Sequence, residues 1–417
     1  MADLFTDAAI RFLTQYRDRP FFVYLPFNTP HTPLEVPERY YRAYRRMNLE
    51  HSEFPQSGHP LEGKADQEMI ARIYGMVENL DDNVGRLLAK LEELQLAKDT
   101  IVMFMSDNGP LQARYDPQKG FYLDATNRRP INARYNRGML DLKGSMYEGG
   151  IRSPFFIRWP GTLKSNRAIE TIAAHIDVVP TLLEACGVPK PSQVALDGVS
   201  LMPLLRNEQT RWPDRNLYFQ WHRGDTPELY RAFAVRSQAY KLVQPNGADG
   251  AEMSMPQPLK LFDMKMDPLE MNNVADTHPE IVQTMRAEYE RWFKDVTSGR
   301  NYSDPSRIHL GSSKENPTRL TWHDSRGGSS VGRYYDVTAE NAGSYRVALQ
   351  FPVTSLPGTA SFSVENTRIT KALKPGATAC TFPRIVYLPA GQLRLEVGVE
   401  QGGKVGRVEC VEIERTK

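Results

Sequence analysis

With 417 residues the chain is too long for one small core and implies two or three domains. Its content of 40% hydrophobic and 24% charged residues is that of an ordinary globular protein. A net charge of +2 supplies no basic field, and no run of about 18 apolar residues occurs, so neither nucleic acid nor a membrane span is expected.

Met1-Ala-Asp-Leu-Phe-Thr-Asp7 has neither the basic start nor the apolar core of a secretory signal. Thr6 reads as an N-cap, and Ala9, Ile10, Leu13 and Tyr16 follow as one apolar helical face. A chain that begins inside packed structure reads as truncated at its N-terminus. Phe21-Phe-Val-Tyr-Leu25, ended by Pro26, predicts a buried and parallel strand. A Pro-punctuated loop to Pro37 leads to a long helix over about Ala65 to Ala97, striped by Met69, Ile70, Ile73, Met76 and Leu80. Thr100 to Met105 predicts a second buried strand, and Pro154 to Arg158 a third. A helix runs from about Val178 to Gly187 and holds Cys186, expected in the core. The alternation predicts an open α/β sheet with helices on both faces.

Beyond residue 215, short strands at Ala232–Arg236, Lys241–Gln244 and Lys260–Asp263 precede an amphipathic helix over Pro279–Asp295. From about Asn316 the text is strand and turn, as in Gly343–Leu349 and Leu393–Val397. The expected organisation is an α/β domain over 1–214, an α+β subdomain over 215–300 and an all-β sandwich or jelly-roll module over 316–417. Cys380 and Cys410 fall in the last part and could pair in an oxidising compartment.

Three segments could carry chemistry. Ser106-Asp107-Asn108-Gly109 follows a strand, where α/β sheets bind ligands, and pairs a carboxylate with an amide oxygen suited to a hard cation. The same four residues also suit a plain turn. Lys143 leads a Gly-rich stretch to Pro154 and can set a point charge against sulfate or phosphate. Glu148 and Arg152 in that stretch read as braces for the loop. His31, held between Pro30 and Pro33, could act as a general acid. Trp221-His222-Arg223 could line a sugar subsite. Arg128, Arg129, Arg134 and Arg137 read as a solvated loop that could meet an anionic polysaccharide.

Together these segments resemble the type I sulfatases of the alkaline-phosphatase-like superfamily. So do Leu80-Asp-Asp-Asn-Val-Gly-Arg-Leu-Leu88, Ile176-Asp-Val-Val-Pro-Thr-Leu-Leu183 and the stretch Leu261–Asn272. The resemblance runs through most of the first 300 residues. It implies calcium bound by Asp107 and Asn108, sulfate bound by Lys143, and His31 touching the ester oxygen and protonating the leaving alcohol. It also implies a sulfated small molecule or carbohydrate as substrate, a formylglycine nucleophile, and a periplasmic or secreted parent enzyme. No cysteine here stands in the family's nucleophile motif. Ser303-Asp-Pro-Ser-Arg307 matches it formally but lies far from its expected place, and Asp81-Asp82 sits in a helix, so both read as decoys. The chain alone is therefore expected to be inactive. Rival readings are a phosphate or phosphonate ester hydrolase of the same superfamily, and a non-catalytic carbohydrate-binding remnant.

Overall fold

The computed structural model describes residues 1–116, 121–124, 134–208, 212–248, 253, 257–302, 304, 306–326 and 333–416. Ser303, Arg128 and Arg129 lie outside them. The chain divides into two compact units, Met1–Gly299 and Arg300–Lys417.

In the first unit, helix α1 (Ala2–Gln15) begins at the N-terminus with Met1 as its cap position. Thr6 lies inside the helix with no exposed surface, so the expected cap is wrong. Its neighbours decide this: Thr6, Ala9 and Leu13 share the buried face. After α2 (Glu38–Tyr44), α3 (Gln67–Glu93) starts on Asp66, whose carboxylate accepts the Met69 N–H at 2.9 Å. Met69, Ile70, Ile73 and Met76 then pack against Leu34, Tyr41 and Leu111. The Asn79 and Asn83 amides donate to Asp3 of α1 at 3.0 and 2.7 Å, which ties the two helices together.

Strand β1 (Val102–Met105) forms where expected but is half-buried rather than buried, since a single described strand pairs with it; the short strands β2 (Ala113–Asp116) and β3 (Phe121–Asp124) follow. A four-residue helix, α4 (Glu148–Ile151), precedes β4 (Phe155–Arg158), which pairs antiparallel with β1. The predicted strand Phe21–Leu25 does not form. Phe22 is 74% and Tyr24 78% exposed, and no described strand pairs with the segment. Apolar composition makes such a run extended, but a strand also needs a hydrogen-bonding neighbour. Helix α5 (Val178–Ala185) leaves Cys186 at its C-cap, where the thiol is exposed and not in the core. The helix is short and ends at Ala185, which still packs against Leu201, Met202 and Leu205, so Cys186 falls just past the packed turn.

Helix α6 (Met202–Leu205) leads to a four-stranded antiparallel sheet of β5 (Leu217–Gln220), β6 (Phe233–Arg236), β7 (Tyr240–Gln244) and β8 (Lys260–Asp263). Its two faces bury different things. Phe233, Val235, Leu242 and Leu261 pack on Met285 and Tyr289 of α7 (Pro279–Ser298). Ala232, Ala234, Val243 and Phe262 pack on Met146 and Tyr147, the residues just before α4. Period-two alternation thus joins the sheet to a helix on one side and to a loop on the other.

The second unit is all β. One sheet has the order β10 (Thr318–Thr321), β19 (Cys410–Arg415), β12 (Gly343–Gln350), β15 (Ala379–Thr381), with β16 (Val386–Leu388) also on β12. The other runs β14 (Thr367–Leu373), β13 (Gly358–Val364), β17 (Gly391–Gln401), β11 (Arg333–Ala339), β9 (Ile308–Leu310), with β18 (Lys404–Gly406) on β17. Tyr345, Val347, Leu349, Phe362, Leu395 and Val411 build one core between them. Strand β9 lies before residue 316, so the module reaches further back than composition suggested. Cys380 and Cys410 are free thiols.

Candidate functional site

Strand β1 delivers Ser106 to the point where the ladder ends. The Ser106 N–H still bonds Pro154 O at 3.2 Å, and its hydroxyl donates to Asn108 O at 3.2 Å. The turn then closes on the loop before β4: the Gly109 N–H donates to Gly150 O at 2.8 Å. A Cβ on residue 109 would stand 1.9 Å from Gly149 O, so only glycine allows this approach. Asp107 is left exposed and Asn108 half-buried.

Lys143 joins the same place through its backbone, whose N–H donates to Pro110 O at 3.1 Å. Its loop is held rather than flexible. Asn136 donates to Asp141 O at 3.0 Å and to Gly149 O at 3.3 Å, and the Gly149 N–H donates to Leu140 O at 3.0 Å. A Cβ on residue 149 would meet Asp141 O at 2.0 Å, so this glycine also serves close packing. The structure therefore brings Lys143 and the Asp107–Asn108 turn together as one bonded unit.

His31 is exposed, in a loop of its own. Its N–H donates to Asn28 O at 2.9 Å, and Nδ1 lies 3.0 Å from Thr32 O. His222 is held at both ring nitrogens: Nε2 accepts the Glu228 N–H at 3.1 Å, and Nδ1 lies 3.0 Å from Arg223 O. It closes the 222–228 loop, on which the Arg223 guanidinium lies 5.9 Å from the centre of the Trp221 ring. Arg134 donates to Leu111 O at 3.0 Å, and Arg137 is exposed. Asp81 and Asp82 are confined to α3, where Asp82 accepts the Tyr40 hydroxyl at 2.8 Å.

Two features escaped the sequence reading. His175 Nε2 donates to Ser106 O at 2.8 Å and so braces the turn from a third side. It immediately precedes the Ile176–Leu183 signature, which was its available signal. The second is a buried charge cluster. Lys241 Nζ, with no exposed surface, lies 3.0 Å from Glu148 Oε1 and 2.8 Å from Glu270 Oε1. Burial alone would raise the Glu148 carboxyl, but Lys241 and Arg236 outweigh it and hold it below the usual carboxylate range. For Glu270 burial dominates, and its carboxyl sits above that range. Glu148 is thus a loop brace, as its composition suggested.

Asp107 and Asn108 are both hard oxygen donors on an open turn, and they fit part of a calcium shell. No group of three or more His, Cys, Asp or Glu gathers among the described residues. A formylglycine finds no fitting residue among the cysteines, since Cys186 ends a helix and Cys380 and Cys410 belong to the β-sandwich unit.

The site is thus a strand-end turn that carries a carboxylate and an amide, locked through its backbone to a lysine loop on an α/β scaffold. The comparisons narrow the class. The sulfatase family profile matches residues 1–188, and the profile "N-sulphoglucosamine sulphohydrolase, C-terminal" matches 136–295. The chain belongs to the sulfatase family. It is 29% identical to the N-acetylgalactosamine-6-O-sulfatase of Bacteroides thetaiotaomicron, over 68% of this chain and 49% of that protein. It is 31% identical to the steryl-sulfatase of Mus musculus, over 63% of this chain and 39% of that protein. The chain thus spans at most about half the length of these relatives. Among solved structures, Ps i-CgsB in complex with k-i-k-neocarrahexaose superimposes with a TM-score of 0.52 at 23% identity, covering 70% of this chain and 54% of that one. That likeness bears on the fold.

Proposed function

We propose that the protein carrying this chain hydrolyses sulfate esters of carbohydrates. The observation that supports this reading best is the bonded unit of Asp107, Asn108 and Lys143, closed by Gly109 on Gly150. Calcium bound there would act as a Lewis acid toward the sulfate oxygens. Asp107 and Asn108 would supply two of its oxygen ligands. Lys143, on a loop of fixed backbone, would place its ammonium against the sulfate charge. His31 would touch the ester oxygen and give its proton to the leaving alcohol. Trp221 and Arg223, on the loop that His222 closes, would supply a surface for the sugar. The sugar class is supported by the name of the bacterial relative, an N-acetylgalactosamine-6-O-sulfatase. A periplasmic or secreted setting would accord with such a substrate.

The test is sulfate release from a sulfated sugar. The chain by itself is expected to be silent. Preceded by the nucleophile-bearing segment of a relative, in matured form, it is expected to turn over. In that protein His31→Ala slows chemistry by roughly 10²–10⁴-fold, most for poor leaving groups, and Lys143→Ala also lowers the rate. Release by the chain alone that vanished on Ser303→Ala would overturn the assignment, as would turnover indifferent to both Asp107→Ala and Lys143→Ala.

A further inference from the structure

The sheet β5–β8 is joined to the candidate site by charge as well as by packing. Glu148 opens α4, and its backbone N–H donates to Glu270 Oε2 at 2.7 Å. Its carboxylate bonds Lys241 of β7 at 3.0 Å, with Arg236 of β6 a further 3.8 Å contact. Lys241 in turn holds Glu270 at 2.8 Å. One buried ammonium therefore fixes the first residue of α4 at both its side chain and, through Glu270, its backbone. The next two residues, Gly149 and Gly150, are those that receive the Gly109 turn.

We propose that Lys241, Glu148 and Glu270 form a positioning cluster that sets where α4 stands, and so the spacing between Lys143 and the Asp107–Asn108 turn. The inference rests on the site proposed above. It does not depend on catalysis, because the cluster acts on backbone geometry. The physical reason for using charge is direction. An apolar contact would hold α4 against the sheet with latitude to slide, whereas an ammonium shared by two carboxylates admits little displacement once all three are dry. Packing alone is already supplied next door by Met146 and Tyr147 on Phe262 and Val243.

The experiment is amide hydrogen exchange on the full chain. Lys241→Met alone would leave two carboxylates buried together, so the charge-balanced pair Lys241→Met with Glu270→Gln is used, leaving Glu148 beside Arg236. The amides of Gly109, Lys143 and Gly149 are expected to exchange at least about ten-fold faster, while those of α3 and α7 change by less than about two-fold. Unchanged rates at the three amides, or one uniform acceleration across the whole first unit, would overturn the proposal. If the pair fails to fold cooperatively, Glu148→Gln, which keeps Lys241 on Glu270, is read by the same measure with the same two outcomes. Because exchange needs no substrate, a failure to release sulfate would count against the sulfatase reading and leave this result standing.

Discussion

Asp177 shows how a single residue can outweigh its own burial. The carboxylate has no exposed surface, and burial alone would raise its pKa. The Arg215 guanidinium at 2.6 and 2.7 Å, with the Val199 and Ala174 N–H groups, holds it below the ordinary value instead. A carboxyl lowered in the folded state contributes stability that is complete above its unfolded value, near 3.8, and is lost as pH falls through the folded one. Arg215→Met is expected to cost about 3–5 kcal/mol at neutral pH, because it strands a buried charge. Urea unfolding at pH 7 and again near pH 3 measures this, and an equal cost at both values would contradict it. At the candidate site the expectation is the reverse of tightness. Two oxygen donors out of a usual 6–8 should hold calcium only on the order of millimolar, and calorimetry returning micromolar affinity for this chain would refute the partial shell.

At the scale of elements, α7 and its sheet are held by aromatic packing with a polar end. The Tyr289 ring stacks on Phe233 with centroids 3.8 Å apart. Its hydroxyl donates to Gln220 at 3.1 Å and accepts the Tyr230 N–H at 3.2 Å. Burial pushes the phenol well above its ordinary range. Tyr289→Phe should cost about 1–3 kcal/mol for the unmet N–H, and Tyr289→Ala about 3–5 kcal/mol as the stack is lost too. Equal losses for the two variants in denaturant titrations would show that the hydroxyl, not the ring, carries the stability. The elements also show where sequence reading works. α3 and α7 were legible because 20 or more residues repeat one period and have clear starts, a capping Asp66 and a Pro at the first helical position. Phe21–Leu25 was not, because its five apolar residues report a preference for extended backbone and nothing of a partner strand.

The whole molecule comprises two units with separate cores. Residues 300–417 alone are expected to keep their strand content and melt cooperatively. The full chain should then unfold in two steps, and coincident transitions by tryptophan fluorescence and far-ultraviolet circular dichroism would argue against independent units. The first unit also leaves apolar side chains outside. Phe22, Tyr24 and Phe156 are 74, 78 and 65% exposed, so a hydrophobic dye should bind the folded full chain. Dye silence in the full chain would mean that these groups are covered in solution.

Composition, period and motif by themselves determined the α/β and all-β parts, the helices α1, α3, α5 and α7, the strands β1, β4, β6, β7 and β8, and the residue types of the 106–109 turn and the lysine loop. These follow from local preferences and from residue types whose chemistry is their own. Only the tertiary structure decided that Gly109 lies against Gly149, that β1 and β4 run antiparallel, that His175 braces Ser106, and that Lys241 is buried between Glu148 and Glu270. Each of those joins residues far apart in sequence, from 29 residues for Lys241 and Glu270 to 122 for Glu148 and Glu270. A local pattern states what a segment can bury or bond, and the fold alone selects the partner it meets.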